Sequence, residues 1–327
     1  MKRRDFITLL GGAAAAPSTL WPLAARAQQS AMPVVGFLGS QSPDDGVTAV
    51  RRGLSQTGYV EGRNIAIEFR WAEGRYDQLP SLVADLIRRQ VAVIIARGGP
   101  AARAAKAATA TIPIVFFVGV DPVTSGLVAS ISRPGGNATG TTGIGRELNA
   151  KKLELLCELV PTATVIGLLV NPGNPYHETY SRDIKAAASG RGLQILDLNV
   201  RTERDLDTTL ANLRQQHADG LLVTDEPLFA SLRVQLVALA ARYNIPTIYP
   251  WREDAQAGGL ISHGPRRTDT LRQVGIYAGR ILKGDKPSDL PVLQPTKFET
   301  VLNLKTATAL GLDVPTSTLL RADEVIE

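Results

Sequence analysis

The chain has 327 residues, a mass of 34.9 kDa and a formal net charge of +5, with 44% hydrophobic and 20% charged residues. This composition, with a mean hydropathy of +0.01, is typical of one large or two ordinary globular domains and excludes a disordered or collagen-like chain. A single cysteine, Cys157, and three dispersed histidines exclude an intrachain disulfide and leave no pattern for a metal site.

The first thirty residues have the features of an export signal. Basic residues 2–4 precede an apolar run over 6–16, which is too short to span a membrane, and Ala25-Arg26-Ala27 resembles an A-x-A cleavage site. The Arg3-Arg4 pair resembles a twin-arginine signal, and a general secretory signal is the alternative. Removal of residues 1–27 lowers the net charge to about +2, so most of the basicity belongs to this signal. We expect a protein free in the periplasm, without a lipid anchor.

Short β-rich runs then alternate with longer helical stretches, a pattern typical of a parallel sheet covered by helices. The predicted strands lie at 34–38, 65–71, 91–96, 114–118, 165–170, 193–198, 220–223, 245–249, 259–262 and 298–303. The predicted helices lie at 47–56, 79–89, 101–110, 148–159, 181–189, 203–215, 228–242 and 268–282, with a short one from 306. Two similar strand–loop–helix units are each followed by a strand that begins with Ile-Pro. This internal similarity favours two lobes of like construction.

These elements predict an α/β fold with two Rossmann-like lobes, each built on a parallel sheet. The lobe boundaries we expect are 33–145 plus 258–290 for lobe 1, and 146–250 plus 296–327 for lobe 2. The chain then crosses between the lobes near 143–147, 249–257 and 290–296. Three such crossings form a three-strand hinge about which the lobes can rotate.

Ligands of open α/β sheets bind beyond the carboxyl ends of the strands, and small polar loops follow the predicted strands here. Gly98-Gly99-Pro100 precedes an Ala-rich helix, whose free N–H groups suit a carboxylate; a tight turn without a ligand is the alternative. Asp121 and Asp225 follow buried strands of opposite lobes, where each is either an ammonium ligand or an N-cap. The cap is favoured for Asp121, which precedes a proline.

Tyr176, Tyr249 and Trp251 are aromatic residues of loops, and they indicate either a flat apolar ligand surface or packing under the hinge. No dinucleotide fingerprint, phosphate loop, Gly-x-Ser-x-Gly elbow or acid/base pair is present in the sequence. The basic residues form no stripe with interleaved aromatics. We therefore expect no catalytic residue, no cofactor, no metal and no nucleic-acid partner.

Segments along the whole mature chain resemble the motifs of one family. They are Gly58-Tyr59-Val60-Glu61-Gly62-Arg63-Asn64, Glu68-Phe69-Arg70-Trp71-Ala72, Asp121-Pro122-Val123, Arg133-Pro134-Gly135-Gly136-Asn137-Ala138-Thr139-Gly140, Lys152-Leu153-Glu154-Leu155-Leu156, Asn171-Pro172, Gly258-Gly259-Leu260, Leu290-Pro291-Val292, Gln294-Pro295 and Ala309-Leu310-Gly311-Leu312. By these segments the chain resembles the ABC-transporter substrate-binding proteins, in the group that includes tryptophan- and tyrosine-binding members.

The resemblance implies a type I periplasmic binding protein that closes on a small solute and delivers it to an ABC permease in the inner membrane. A monomer is the ordinary expectation for such a freely diffusing receptor. The resemblance also implies ligand contacts at the strand-end loops of both lobes. By position these are Ser40, Gly98, Gly99, Pro100, Asp121, Thr139, Gly140, Asn171 and Asp225. An aromatic or branched amino acid is the expected solute.

The expected mechanism is hinge closure. Lobe 1 fixes the solute's carboxylate at the helix start of Gly98-Gly99-Pro100, and lobe 2 closes over it with Asp225 and the Asn171 loop. The hydroxyl of Thr139 reaches the cleft beside the first crossing. Two other functions stay open: a periplasmic sensory module that presents its ligand to a membrane kinase, and an exported enzyme.

Overall fold

A computed structural model of the chain describes residues 32–41, 46–143 and 145–327, without the side chains of residues 145–147. The expected export signal, residues 1–27, and part of the first expected crossing lie outside the described residues. Within the described part, no helix combines the length and the apolar character needed to cross a membrane.

Five strands of the described chain form the sheet of lobe 1, in the order β2-β1-β3-β4-β5, and all are parallel. They are β1 (Val34–Gly39), β2 (Ala66–Trp71), β3 (Val93–Arg97), β4 (Ile114–Val118) and β5 (Ala138–Thr142). β1, β3 and β4 consist mainly of apolar residues and are buried because helices cover both faces of the sheet.

The sheet of lobe 2 has seven strands in the described residues, in the order β12-β11-β10-β9-β8-β6-β7. They are β6 (Val165–Val170), β7 (Gln194–Asn199), β8 (Gly220–Val223), β9 (Thr247–Tyr249), β10 (Ile261–Pro265), β11 (Phe298–Asn303) and β12 (Glu324–Ile326). All neighbours are parallel except β10 and β11, so this sheet is mixed.

The helices of the described chain cover the two sheets. They are α1 (Gly46–Gln56), α2 (Leu79–Arg88), α3 (Gly99–Ala108), α4 (Gly145–Leu159), α5 (His177–Ser189), α6 (Glu203–Gln215), α7 (Pro227–Ser231), α8 (Arg233–Arg242), α9 (Arg252–Gln256), α10 (Arg267–Leu282), α11 (Leu304–Ala309) and α12 (Thr316–Arg321). The long helix expected over 228–242 is broken at Leu232, which gives α7 and α8.

The assignment of residues 258–290 to lobe 1 is wrong for β10. This strand pairs with β9 and β11, and its Ile261 packs in the core of lobe 2. The segment after β9, expected as a crossing, is instead the short helix α9, whose Asp254 side chain accepts a hydrogen bond from the Trp251 N–H at 3.1 Å. The chain therefore returns to the same sheet, and the second crossing follows Pro265 rather than lying in 249–257.

Strand β5 was not predicted, because its sequence Ala-Thr-Gly-Thr-Thr has no apolar run. It is nevertheless buried at the edge beside β4 and leads directly to the first crossing. The third crossing runs along it: Thr142 N–H donates to the Leu293 carbonyl at 3.0 Å, and Leu293 N–H donates to the Gly140 carbonyl at 2.9 Å. The segment of the third crossing is thus hydrogen-bonded to the strand that leads into the first crossing.

Helix α10 packs on α1 so closely that the two backbones are in contact. A Cβ atom at Gly53 of α1 would lie 2.0 Å from the Arg272 carbonyl oxygen, and one at Gly275 of α10 would lie 2.1 Å from the Val50 carbonyl oxygen. Only glycine fits at these two positions. Through this contact α10, which follows the second crossing, completes lobe 1.

We expect Gly275→Ala to lower the free energy of unfolding by about 1–3 kcal/mol, because the added methyl group separates α10 from α1. Urea denaturation followed by circular dichroism measures the change. Gly190→Ala is the matched control, since Gly190 has a φ of −74° and open space around its Cβ position. Equal stabilities of the two variants would contradict the proposed close contact.

Candidate ligand-binding cleft

A cavity of about 320 Å³ lies between the lobes, at the carboxyl ends of the strands of both sheets. Lobe 1 contributes Gly39, Ser40, Gln41, Trp71, Arg97, Gly98, Gly99, Phe117, Gly119 and Arg267. Lobe 2 contributes Asn174, Tyr180, Asp225, Pro227, Ala230, Ser231, Arg233 and Trp251. The lining thus combines large aromatic rings with a few charged groups, the composition typical of small-molecule sites.

The aromatic part of the lining comes from both lobes. Trp71 ends β2 and Phe117 lies near the end of β4, whereas Tyr180 and Trp251 belong to lobe 2. The ring centroids of Phe117 and Trp251 are 6.2 Å apart with an interplanar angle of 50°, so the two lobes meet through this tilted pair. Tyr249, expected in a loop, is the last residue of β9; it is buried in the core of lobe 2 and does not line the cavity.

Asp225 supplies a carboxylate to the cavity from the loop after β8. Burial raises the pKa of this carboxyl group, and the positive charges of Lys152, Arg267 and Arg97 lower it. A carboxylate in such a cavity is suited to bind an ammonium group of a ligand, because a buried charge needs a partner of opposite sign.

On the opposite side, helix α3 begins at the cavity. Gly98 N–H already donates to the Phe117 carbonyl at 2.9 Å, so it is not available to a ligand. Gly99, the first residue of α3, lines the cavity, and the arginines Arg97 and Arg267 lie on the same wall. A helix start with neighbouring guanidinium groups is a favourable place for a ligand carboxylate.

Four of the nine residues expected from the sequence line the cavity: Ser40, Gly98, Gly99 and Asp225. The other five, Pro100, Asp121, Thr139, Gly140 and Asn171, lie outside its lining. Pro100 is buried in the first turn of α3. At Gly140 a Cβ atom would lie 2.1 Å from the Phe116 carbonyl oxygen, so this glycine serves the close packing of β5 on β4.

Asp121 and Thr139 bind backbone groups of their own lobe. Asp121 Oδ1 accepts hydrogen bonds from the N–H groups of Val123 at 2.7 Å and Thr124 at 3.1 Å, which is the capping role favoured for it. The Thr139 hydroxyl was expected to reach the cleft, but it donates to the Leu290 carbonyl at 2.6 Å and is buried. It therefore ties β5 to the segment that leads to the third crossing.

Asn171 acts behind the cavity, where it helps to hold the buried carboxylate of Glu226. Its Nδ2 donates to Glu226 Oε1 at 3.0 Å, and Asn174 Nδ2 donates to Oε2. The third donor comes from lobe 1: the hydroxyl of Tyr76 donates to Oε1 at 2.5 Å. Burial raises the pKa of Glu226, and these three hydrogen bonds lower it. Glu226 thus forms a hydrogen bond between the lobes.

Three glycines of lobe 1 allow the lobes to approach each other closely. A Cβ atom at Gly119 would lie 2.3 Å from Asp225 Oδ2, and one at Gly99 would lie 2.8 Å from the Tyr176 ring. At Gly98, which has a φ of +96°, it would be 3.3 Å from Pro227 Cγ. These contacts, with the Tyr76–Glu226 hydrogen bond, define a closed arrangement of the lobes.

Sequence reasoning missed several residues of the cleft, and only some carried a signal. Trp71 and Phe117 stand at strand ends and were counted as strand residues rather than ligand contacts. Arg233 begins α8, after a helix break that the sequence does not predict. Arg267 begins α10, after a crossing that the sequence analysis expects at 249–257. Glu226 is adjacent to Asp225, and no pattern distinguishes the roles of the two carboxylates.

Comparison with known proteins agrees with this geometry. Residues 32–326 match the family model of the ABC transporter substrate binding protein. The tyrosine-binding protein of Clostridioides difficile (strain R20291) is 28% identical over 262 residues, which are 80% of this chain and 75% of that protein.

Two solved structures relate the chain to known states of such proteins. The ABC domain from Streptococcus pneumonia in complex with L-Trp is 25% identical, with a TM-score of 0.81. The ligand-free, open substrate binding protein from Clostridium difficile is 26% identical, with a TM-score of 0.61; each comparison covers 90% of this chain and 99% of the other. The structure is therefore more similar to the L-Trp complex, as its interlobe contacts suggest.

The two lobes with their crossings have the fold of type I periplasmic binding proteins. The family match spans nearly all of the described residues, from the start of β1 to the end of β12. The protein belongs to the family of ABC transporter substrate-binding proteins.

Proposed function

We propose that the protein is the periplasmic receptor of an ABC importer and that it binds an aromatic L-amino acid in the cavity between its lobes. One observation carries this proposal: the cavity combines four aromatic rings with a carboxylate on one wall and a helix start with two arginines on the other. An aromatic amino acid has the matching groups, namely a ring, an ammonium and a carboxylate. The proposal includes delivery of the solute to a permease in the inner membrane, and it assigns no catalytic group.

The charged groups suggest one orientation of the solute. Its carboxylate binds at Gly99 and the guanidinium groups of Arg97 and Arg267, and its ammonium binds Asp225. Its ring then packs among the aromatic side chains, chiefly Trp71. The cavity volume of about 320 Å³ supports a single small solute, because ligand sites span about 300–1,000 Å³. Asn171 supports the site through Glu226 and does not contact the solute.

The proposed mechanism is closure about the three crossings. In the open form, Asp225 and the aromatic residues of lobe 2 are separated from the α3 start of lobe 1. A solute that touches both walls binds the closed form more tightly and shifts the population toward it. A shift from 1:99 to 99:1 requires about 5.5 kcal/mol of differential binding. Contacts to both walls, together with the Tyr76–Glu226 hydrogen bond, favour the closed form.

We expect L-tryptophan, L-tyrosine or L-phenylalanine to raise the thermal unfolding midpoint of the purified protein by a few degrees. Asp225→Asn then weakens the binding of that amino acid at least about 30-fold, which corresponds to about 2 kcal/mol, because the ammonium loses its charged partner. Isothermal titration calorimetry measures both affinities. Asp121→Asn is the matched control, since Asp121 caps a loop outside the cavity.

Two results would contradict this proposal. The first is the absence of binding by any amino acid, together with the absence of a co-purified solute in the mass spectrum of the denatured protein. The second is an unchanged affinity of the Asp225→Asn variant. An amine-free analogue such as 3-phenylpropionate serves as a further control, because its affinity does not depend on an ammonium–carboxylate pair.

We expect Tyr76→Phe to speed the dissociation of the bound solute about tenfold. The variant removes an interlobe hydrogen bond to a carboxylate, and such bonds contribute about 1.5–3 kcal/mol. Stopped-flow fluorescence measures the rate constant. Tyr243→Phe is the matched control: its hydroxyl donates to Asp207 at 2.8 Å, but both residues belong to lobe 2. Equal rate constants for the two variants would exclude a role of Tyr76 in closure.

We also expect export with cleavage after Ala27. Mass spectrometry of the periplasmic fraction then finds a mature protein that begins at Gln28, and Arg3→Lys with Arg4→Lys retains the precursor in the cytoplasm if the twin-arginine route is used. Normal export of the double variant would favour the general secretory route. An uncleaved cytoplasmic wild-type protein would contradict the periplasmic location.

A further inference from the structure

A buried lysine lies beside the carboxylate that we assign to the solute's ammonium. Lys152, in α4 of lobe 2, is only 1% exposed. Burial lowers its pKa to about 8, while Asp225 and Asp254 act in the opposite direction. A buried ammonium is costly unless other charges compensate it, so a lysine at this position requires an explanation.

The surroundings of Lys152 point to Asp225 as the group that it serves. A cavity of about 20 Å³, large enough for one water molecule, is lined by Lys152, Asp225 and Asn149. Among the residues that the structure describes, the negative charges that act on the Lys152 ammonium are those of Asp225 and Asp254. Asp254 already has a partner, because Arg233 Nε donates to its Oδ1 at 2.7 Å. Asp225 is therefore the nearby carboxylate whose negative charge the Lys152 ammonium compensates.

We propose that Lys152 is a positioning residue that keeps Asp225 ionised and thereby sets the lowest pH at which the receptor retains an ammonium-bearing solute. The second half of this proposal rests on the proposed function, since it requires that Asp225 binds an ammonium. The first half concerns only two side chains of lobe 2. It therefore holds whether or not a solute is bound.

The other charged groups around Asp225 differ from Lys152 in the lobe to which they belong. Arg97 ends β3 and Arg267 begins α10, so both are attached to lobe 1. When the lobes separate, these two guanidinium groups move away from Asp225. Lys152 is in the same lobe as Asp225 and stays beside it. It thus keeps the carboxylate charged in the open form, which is the form that captures the solute.

The remaining neighbours do not replace this charge. Tyr180 and Trp251 approach Asp225 from lobe 2, but both are neutral; the negative charge of Asp225 helps to raise the pKa of Tyr180. His263 lies near Lys152, and burial with the charge of Lys152 lowers its pKa to about 4, so it is neutral at physiological pH. Arg233 of lobe 2 also lines the cavity, but its guanidinium group is paired with Asp254 at 2.7 Å. Among the described residues, Lys152 is therefore the cation of lobe 2 whose charge lowers the pKa of Asp225.

The sign of the effect follows from the two influences on Asp225. Burial raises its pKa, and the charge of Lys152 lowers it. Without that charge, Asp225 takes up its proton at a higher pH, and the neutral carboxyl group binds an ammonium more weakly. In a protein without the Lys152 charge, acidification therefore releases the solute at a pH closer to neutral.

The first test is a titration of the ligand-free protein with ¹³C-labelled aspartate, in which Asp225→Asn identifies the Asp225 signal. We expect Lys152→Met to raise the titration midpoint of Asp225 by roughly 1–2 pH units. Lys151→Met is the matched control, because Lys151 pairs with Glu154 at 2.6 Å and is half-exposed. Lys152→Arg restores the charge and returns the midpoint toward the wild-type value. Coincident midpoints in the wild-type and Lys152→Met proteins would overturn the proposal.

A reciprocal measurement covers the case in which the Lys152→Met protein does not fold. Asp225 and Lys152 influence each other equally, so Asp225→Asn must lower the pKa of Lys152 further below its wild-type value. A ¹³C signal from the Lys152 side chain reports this change. An unchanged Lys152 midpoint in Asp225→Asn would overturn the proposal as firmly as the first test.

The second test measures the dissociation constant for the bound aromatic amino acid between pH 4 and pH 8. We expect the acid-induced loss of affinity in Lys152→Met to shift upward by the same interval as the Asp225 midpoint, whereas 3-phenylpropionate shows no such shift. A parallel shift for both compounds would overturn the second half of the proposal. If the wild-type protein binds no amino acid, the proposed function fails, and the ligand-free titration still decides the role of Lys152.

Discussion

The closed arrangement depends on the burial of one carboxylate between two lobes. Glu226 is 2% exposed, and a carboxylate in that environment is costly unless donors surround it. Two of its donors, Asn171 and Asn174, belong to lobe 2, as Glu226 itself does. The third, Tyr76, belongs to lobe 1, so the three donors meet at Glu226 only when the lobes are as close as they are here. The hydrogen-bonding needs of Glu226 are thereby coupled to the position of lobe 1.

The glycines at the edge of lobe 1 make that closure possible. Gly98, Gly99 and Gly119 lie where Pro227, Tyr176 and Asp225 approach, and side chains there would hold the lobes apart. The glycine-rich loops therefore have two effects: they leave the start of α3 open to the cavity, and they let the opposite lobe come near. In this arrangement the aromatic residues of both lobes surround one cavity.

Much of the fold could be predicted because β-rich runs alternate with amphipathic helices. The errors have physical causes. The strand β5 is rich in threonine, and its burial comes from pairing with β4. Strand β10 joins lobe 2 because α9 turns the chain back after β9, which the local sequence does not reveal.

The candidate site was predictable at the level of loops but not of side chains. The sequence predicts a contact from the loop after β8, and this loop lines the cavity through Asp225. Its two adjacent carboxylates have different surroundings, since Asp225 faces the cavity and Glu226 faces Tyr76. Similarly, Trp71 and Phe117 line the cavity because of the directions in which they leave their strands. Such directions depend on the sheet and not on residue type.

The contact between Gly53 and Gly275 joins residues more than two hundred positions apart, and it has a consequence for how the chain acquires its structure. Lobe 1 lacks the cover of α10 until most of the chain has been synthesised, and lobe 2 in turn waits for β11 and β12 near the C-terminus. Lobe 1 therefore cannot be completed before α10 has been synthesised, and lobe 2 cannot be completed before β12. Such non-local contacts slow folding and expose apolar surface in the meantime.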